Sequence, residues 1–221
     1  MKINKPKLVI FDMDGTMLDT EMLSIKGWEI AVKQQVPDVS QELFVETFHK
    51  MIGTNAANCR RIAHELMPEF DFEKGYDVSY AYMDEYIKIH GVPLKTGLLE
   101  LLDKLEQLNI RKCVATSTAK QRATRKLQLA NIAHRFEIIV GGDEVTHSKP
   151  NPEIFLKAAN ACGIAPENCL VLEDSAAGVE SGHKAGMQVI VIPDLVPPNA
   201  TTLDMANVMC KNLCEVADLL C

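Results

Sequence analysis

The chain has 221 residues, 47% of them hydrophobic and 24% charged, and a net charge of −7. That length allows one full α/β domain, or such a domain with a smaller insert. Thirty acidic against 23 basic residues, with no Lys/Arg block, count against a nucleic-acid partner, and no apolar run approaches the roughly 20 residues of a membrane span.

The N-terminal apolar stretch LVIF is too short for a secretory leader. The expected location is therefore cytoplasmic. Cys59, Cys113, Cys162, Cys169, Cys210, Cys214 and Cys221 make an odd set without a C-x-x-C pair or a histidine at zinc spacing. They read as reduced, mostly buried thiols. We expect a monomer or weak dimer.

The first periodic segment is KLVIFD, 7–12. A continuous apolar run that ends on a polar residue reads as a buried parallel strand whose C-terminal end reaches the surface. Further runs lie at 111–117, 136–140, 168–174 and 187–192, with a weaker one at 207–210. Helical patterns fall between them, at 97–108, 119–130, 152–162 and 175–185. The last opens on Ser175 as a cap and closes near Gly186. Alternating strands and helices predict a Rossmann-like, doubly wound parallel sheet of the α/β class.

Residues from about 20 to 92 break the rhythm. They contain the chain's Trp28 and all four tyrosines, and no convincing strand. Helices are expected at 20–35, 40–50, 54–67 and 75–90, separated by loop signals at 36–38, 52–55 and 67–72. The segment reads as an all-helical insert after the first strand.

Four signals carry chemistry. Asp12 and Asp14 stand two apart at a strand end, followed by Gly15, which permits a sharp turn. Two acids in one crevice repel, so the pair suits one nucleophile and one general acid/base, or a cation beside them. A calcium loop fails on spacing, because Met17 and Leu23 stand where Gly and Glu are required. Glu173 and Asp174 end a second strand and make the crest oxygen-rich and negative, which suits Mg²⁺; Asp174 could also simply cap the next helix. Thr116-Ser117-Thr118 offers hydroxyls and amides to phosphate at a strand-to-helix turn, or acts as an N-cap. Lys149, between His147-Ser148 and Pro150-Asn151-Pro152, is a stiffly mounted cation or an ordinary surface lysine.

Together these residues resemble the haloacid dehalogenase superfamily of phosphohydrolases. Its four motifs match DMDGT at 12–16, Thr116, Lys149 and ED at 173–174, in family order and over nearly the whole chain. SKPNPEIFLKAA and CLVLEDSAAGVESGHKAGMQVIVIP are similar to the β-phosphoglucomutase-like branch, which carries a helical cap after the first motif. The resemblance implies a catalytic core at 1–18 and 93–221 and a cap at 19–92, hinged near Leu18–Thr20 and Gly91–Thr96. It implies that Asp12 attacks phosphorus and becomes an aspartyl-phosphate, and that Asp14 protonates the leaving oxygen and then activates water. It implies Mg²⁺ held by Asp12, the Asp14 backbone carbonyl and Asp174, with Glu173 in support. Thr116 and the Ser117 amide would hold the phosphoryl group, and Lys149 would balance charge.

The chain departs from β-phosphoglucomutase in the insert. Thr20 and Ser24 stand where a histidine is expected, and Gly53 is followed by Thr54, Asn55 and Ala56 where an arginine would hold a second phosphate. Arg60 and Arg61, one turn on, are the substitutes at hand. The expected activity is therefore hydrolysis of a small phosphate monoester of a sugar, polyol or nucleoside. A phosphosugar mutase and a non-catalytic phospho-ligand binder are the rivals. Gly141-Gly142-Asp143-Glu144-Val145 also resembles the cyclic-dinucleotide synthase signature, but no other part of the chain supports it.

Overall fold

A computed structural model describes residues 3–220; Cys221 lies outside them. Six strands form one all-parallel sheet: β1 (Leu8–Phe11), β2 (Arg111–Ala115), β3 (Ile139–Val140), β4 (Cys169–Glu173), β5 (Gln188–Val191) and β6 (Val208–Met209). Their order is β3-β2-β1-β4-β5-β6, so the first strand in sequence is central in space.

The helices are α1 (Glu21–Gln35), α2 (Gln41–Met51), α3 (Ala56–Leu66), α4 (Phe72–His90), α5 (Leu98–Gln107), α6 (Lys120–Leu129), α7 (Glu153–Ala161), α8 (Ala176–Lys184), α9 (Ala200–Met205) and α10 (Leu213–Leu219). Alternate strand residues point to opposite faces. Val9, Phe11, Val114 and Leu172 meet α5, α6 and α10 on one side. Leu8, Ile10, Cys113 and Val171 meet α7 and α8 on the other. Burial on both faces is why these strands read as unbroken apolar runs. Cys59, Cys113, Cys162, Cys169, Cys210 and Cys214 are free thiols, four of them buried.

The third strand is shorter than the expected 136–140. It lies at the sheet edge, paired with β2 alone. Phe136 leaves the ladder and packs edge-on against Phe11, ring centroids 5.6 Å apart. Helix α4 begins earlier than expected, because Asp71 caps it by accepting from the Lys74 amide. Helices α9 and α10 are additions to the expected set. Ser175 caps α8 through the Gly178 amide, as expected.

The four helices α1–α4 sit together with their own apolar cluster around Trp28, Phe44, Phe48 and Phe72. Trp28 lies 5.2 Å from Phe72 and 6.0 Å from Phe70, centroid to centroid. The chain enters and leaves this segment side by side. The Asp19 amide donates to the Pro93 carbonyl and the Lys95 amide to the Met17 carbonyl, each at 2.9 Å. Leu18 and Leu94 form an antiparallel bridge.

Helices α1 and α4 approach closely because Gly27 faces Ser79. A Cβ on Gly27 would lie 2.8 Å from the Ser79 Cα and carbonyl oxygen. On an open helix surface, alanine would be favoured over glycine by up to about 1 kcal/mol. Here overpacking against backbone wins. Gly27→Ala is expected to destabilise the protein by about 1–3 kcal/mol, read as a lower urea midpoint.

Candidate active site

Because β1 lies between β2 and β4, the residues that follow these three strands crowd one edge of the sheet. Asp12 follows β1, Thr116 follows β2 and Asp174 follows β4. All three are buried and line one cavity between the strand ends and the helices α1–α4.

Lys149 is 1% exposed. Its Nζ donates to Asp12 Oδ1 at 2.5 Å and Glu173 Oε1 at 2.6 Å. Burial opposes its charge, but the two carboxylates outweigh burial and hold its ammonium above the usual lysine range. One ammonium cannot neutralise every neighbour. Burial, together with the nearby Glu173, lifts Asp12 to about 8 against the pull of Lys149. Burial, then Glu173 and Asp12, lift Asp174 well above an ordinary carboxylate, opposed by a 3.0 Å hydrogen bond from the Thr16 hydroxyl.

The structure brings the oxygens of Asp12, Glu173 and Asp174 within 4.8 Å of one another. Glu173 is fully engaged, with Oε2 accepting from the Ser175 amide and hydroxyl. Asp12 Oδ2 and Asp174 Oδ2 have no hydrogen-bond partner among the described residues. A divalent cation therefore fits between Asp12 and Asp174: hard oxygen donors, excess negative charge and raised affinity for protons mark the place. Gly15 lets the turn after β1 lie against the Asp174 carboxylate. Its φ is +85°, and a Cβ there would lie 2.5 Å from Asp174 Oδ2.

Asp14 points elsewhere. Its Oδ1 accepts from the Thr20 hydroxyl at 2.5 Å and Lys126 Nζ at 2.6 Å, and its Oδ2 from the Thr118 hydroxyl at 2.8 Å. Burial works against the charge, but Lys126 and these bonds outweigh it and hold the carboxyl below its ordinary range. The two aspartates that the sequence pairs thus have opposite environments. The Asp14 side chain stands outside the acidic cluster.

Thr116 Oγ1 accepts from the Thr118 amide at 3.1 Å. The Ser117 hydroxyl donates to the Gly53 carbonyl at 2.8 Å, joining the loop before α3 to the loop before α6. Asn58 Nδ2 likewise donates to Ser148 Oγ at 2.7 Å. The Ser117 amide has no acceptor among the described residues.

Two lining residues escape the sequence reading. Lys126 is buried in a helix whose sequence, KQRATRKLQL, looks like a solvated face; its helical phase beside Ala123 and Leu127 was the available signal. Glu21, partly buried at the start of α1, has no ion pair or hydrogen bond from its carboxylate among the described residues. Burial and the charge of Asp14 push it up to about 8. Ser24, at the expected histidine position, does line the cavity. Arg60 and Arg61 do not: they are exposed and pair with Glu73 and Glu65.

A family model described as haloacid dehalogenase-like hydrolase matches residues 9–192. The chain is 30% identical over 185 residues to a phosphorylated carbohydrates phosphatase of Thermotoga maritima, covering 82% of each. It is 30% identical over 198 residues to the protein CbbY of Rhodobacter capsulatus, covering 85% of each. The fold superposes on a β-phosphoglucomutase from Clostridium difficile with a TM-score of 0.75 at 22% identity, over 96% of this chain and 93% of that one. No helix among the described residues is long and apolar enough to cross a membrane.

Proposed function

Because the chain belongs to the haloacid dehalogenase-like hydrolases, we propose that it is a magnesium-dependent phosphatase of small phosphate monoesters, acting through an aspartyl-phosphate. The observation that carries this reading is the opposed pair at one cavity: Asp12 against Lys149 with one oxygen unpartnered, and Asp14 separately caged. Asp12 Oδ attacks phosphorus as the ester P–O bond breaks; Asp14, ionised at rest, first takes up a proton as the substrate binds and then delivers it to the departing oxygen. Asp14 then takes a proton from water, whose oxygen displaces Asp12 from phosphorus. Thr116 and the Ser117 amide hold the equatorial oxygens, and Lys149 balances their charge. Asp12 and Asp174 would hold Mg²⁺, with Glu173 fixing Lys149 and the Ser175 turn behind them. When bound, the ion supplies positive charge that neutralises phosphate and nucleophile together.

Residues 19–92 are read as a cap that closes over the strand ends and selects the substrate. The hydrogen bonds Ser117–Gly53 and Asn58–Ser148 support a closed arrangement. The cavity favours a phosphatase over a phosphosugar mutase. Among the described residues that line it, Lys126 is already spent on Asp14, which leaves a second phosphate without a cation. Glu21 and Ser24 instead present acceptors to hydroxyl groups. The phosphatase name of the Thermotoga relative supports a phosphorylated carbohydrate.

The deciding experiment is phosphate release and product identity over a panel with and without Mg²⁺. The panel is glucose 6-phosphate, fructose 1-phosphate, sorbitol 6-phosphate, glycerol 3-phosphate, AMP and β-glucose 1-phosphate. Magnesium-dependent release of phosphate supports the reading. Conversion of β-glucose 1-phosphate to glucose 6-phosphate without free phosphate would make it a mutase.

A second expectation concerns pH. Asp12 and Asp174 keep protons in the metal-free fold above their unfolded pKa values near 3.8, Asp12 up to about 8. Their contribution to metal-free stability is present below pH ~4 and is lost as pH rises toward 8. A cation at these oxygens must displace those protons, so its affinity rises over the same window. The gain in melting temperature on adding Mg²⁺ to EDTA-treated protein is expected to grow from pH 5.5 to pH 8. A constant gain would count against Asp12 and Asp174 as the ligands.

A further inference from the structure

Lys126 is 7% exposed. A lysine removed from water is costly unless its charge is matched, and among the described residues its ammonium has one partner, Asp14 Oδ1, at 2.6 Å. The other donors to that carboxylate are hydroxyls from two further elements: Thr20, at the N-cap of α1, and Thr118, in the turn before α6. The three donors approach both carboxylate oxygens and leave little rotational freedom about the Asp14 side chain. All four residues line the cavity that holds Asp12.

We propose that Lys126 is a positioning residue for the reaction, its ammonium fixing the direction in which the Asp14 carboxylate faces the reacting oxygens. The proposal rests on Asp14 being the general acid and base. Proton transfer in such a step is effective only when the group lies within hydrogen-bond reach of the atom it serves. A carboxylate held by two hydroxyls alone can turn, because each hydroxyl can rotate with it and can itself donate elsewhere. A lysine anchored in the α6 face beside Ala123 and Leu127 cannot follow freely. The cage gives Asp14 one orientation before the substrate arrives, as preorganised sites require. A purely structural account would make Lys126 a core residue that happens to be paired. Such a role would cost stability when removed, but would not act through Asp14.

A double-mutant cycle separates the two accounts. The variants are Lys126→Met, Asp14→Asn and both together, with Lys126→Arg beside them, assayed on the fastest substrate of the panel above. Lys126→Met is expected to lower kcat by about 10- to 100-fold, no more than the lower end of the roughly 10²–10⁴-fold that a general acid–base group itself contributes, while KM moves by less than about threefold. Lys126→Arg should recover part of the loss. In the Asp14→Asn background, Lys126→Met should cost nothing further. Lys126→Gln replaces Met in the cycle if the Met variant melts below the assay temperature. An equal loss in both backgrounds, a loss confined to KM, or an arginine variant no better than the methionine one would overturn the proposal. If the wild type hydrolyses no panel member, the phosphatase reading falls and this inference with it; an additive cycle in an active wild type removes this inference alone.

Discussion

Asp12→Asn is expected to reduce magnesium-dependent phosphate release by at least about four orders of magnitude, the scale on which removal of a nucleophile acts. The replacement has the same shape and keeps an oxygen for Lys149, so the cavity should survive. The amide is a poor nucleophile and cannot carry the phosphoryl group. The change also removes one charge from a cluster in which a single ammonium serves two carboxylates. The variant should therefore melt no earlier than wild type in EDTA above pH 7, where Asp12 is forced toward ionisation. Mass spectrometry after rapid quenching should find a phosphorylated aspartate in wild type and none in the variant. An Asp12→Asn protein with wild-type turnover would remove the covalent mechanism.

Lys149→Met should be the most damaging single change to the fold at this site. The lysine is 1% exposed, and its partners Asp12 and Glu173 are 7% and 0% exposed. Removing it leaves two buried carboxylates without a cation. Breaking a buried pair in this way costs about 3–5 kcal/mol, and each kcal/mol moves the melting temperature of a chain this size by roughly 2–4 °C. Differential scanning calorimetry in EDTA at pH 8 should show a fall of about 10 °C. The fall should shrink at pH 5, where Asp12 takes up a proton instead. Activity should drop by about 10²–10³-fold, the loss seen when one preorganised electrostatic group is removed. A variant that melts within 2 °C of wild type at pH 8 would show that water or other groups compensate the pair.

What could be read from sequence follows the number of buried faces. Strands β1, β2, β4 and β5 are covered on both sides, so their apolar runs are continuous and their ends are marked by the first polar residue. At β1, β2 and β4 those polar residues are Asp12, Thr116 and Glu173, the last followed at once by Asp174, so there the strand signal and the candidate-site signal coincide. The 136–140 run is longer than the strand it contains because an apolar residue next to a strand need not join its ladder: Phe136 packs on Phe11 instead. Short helices such as Ala200–Met205 span fewer than two turns and leave little periodicity to detect. Lys126 escaped for another reason. In a helix with three other cations, charge hides which side faces inward, and only the partner, 112 residues away in the chain, settles it. The opposite protonation tendencies of Asp12 and Asp14 were equally illegible, because adjacent letters carry no sign of which lysine each will meet.

The strand order has a consequence in time. β1 is made first, yet it occupies the middle of the sheet, and its second neighbour is β4. Asp12 waits for a lysine 137 residues later, and Thr16 for an aspartate 158 residues later. At about 5–20 residues per second, a ribosome needs on the order of ten seconds to supply them. During that interval the nascent chain carries Asp12 without Lys149 and Thr16 without Asp174. Long-range pairing of this kind is slow to form. The buried cluster at the strand ends therefore cannot assemble in any fragment of the chain until the fourth strand has been translated and docked.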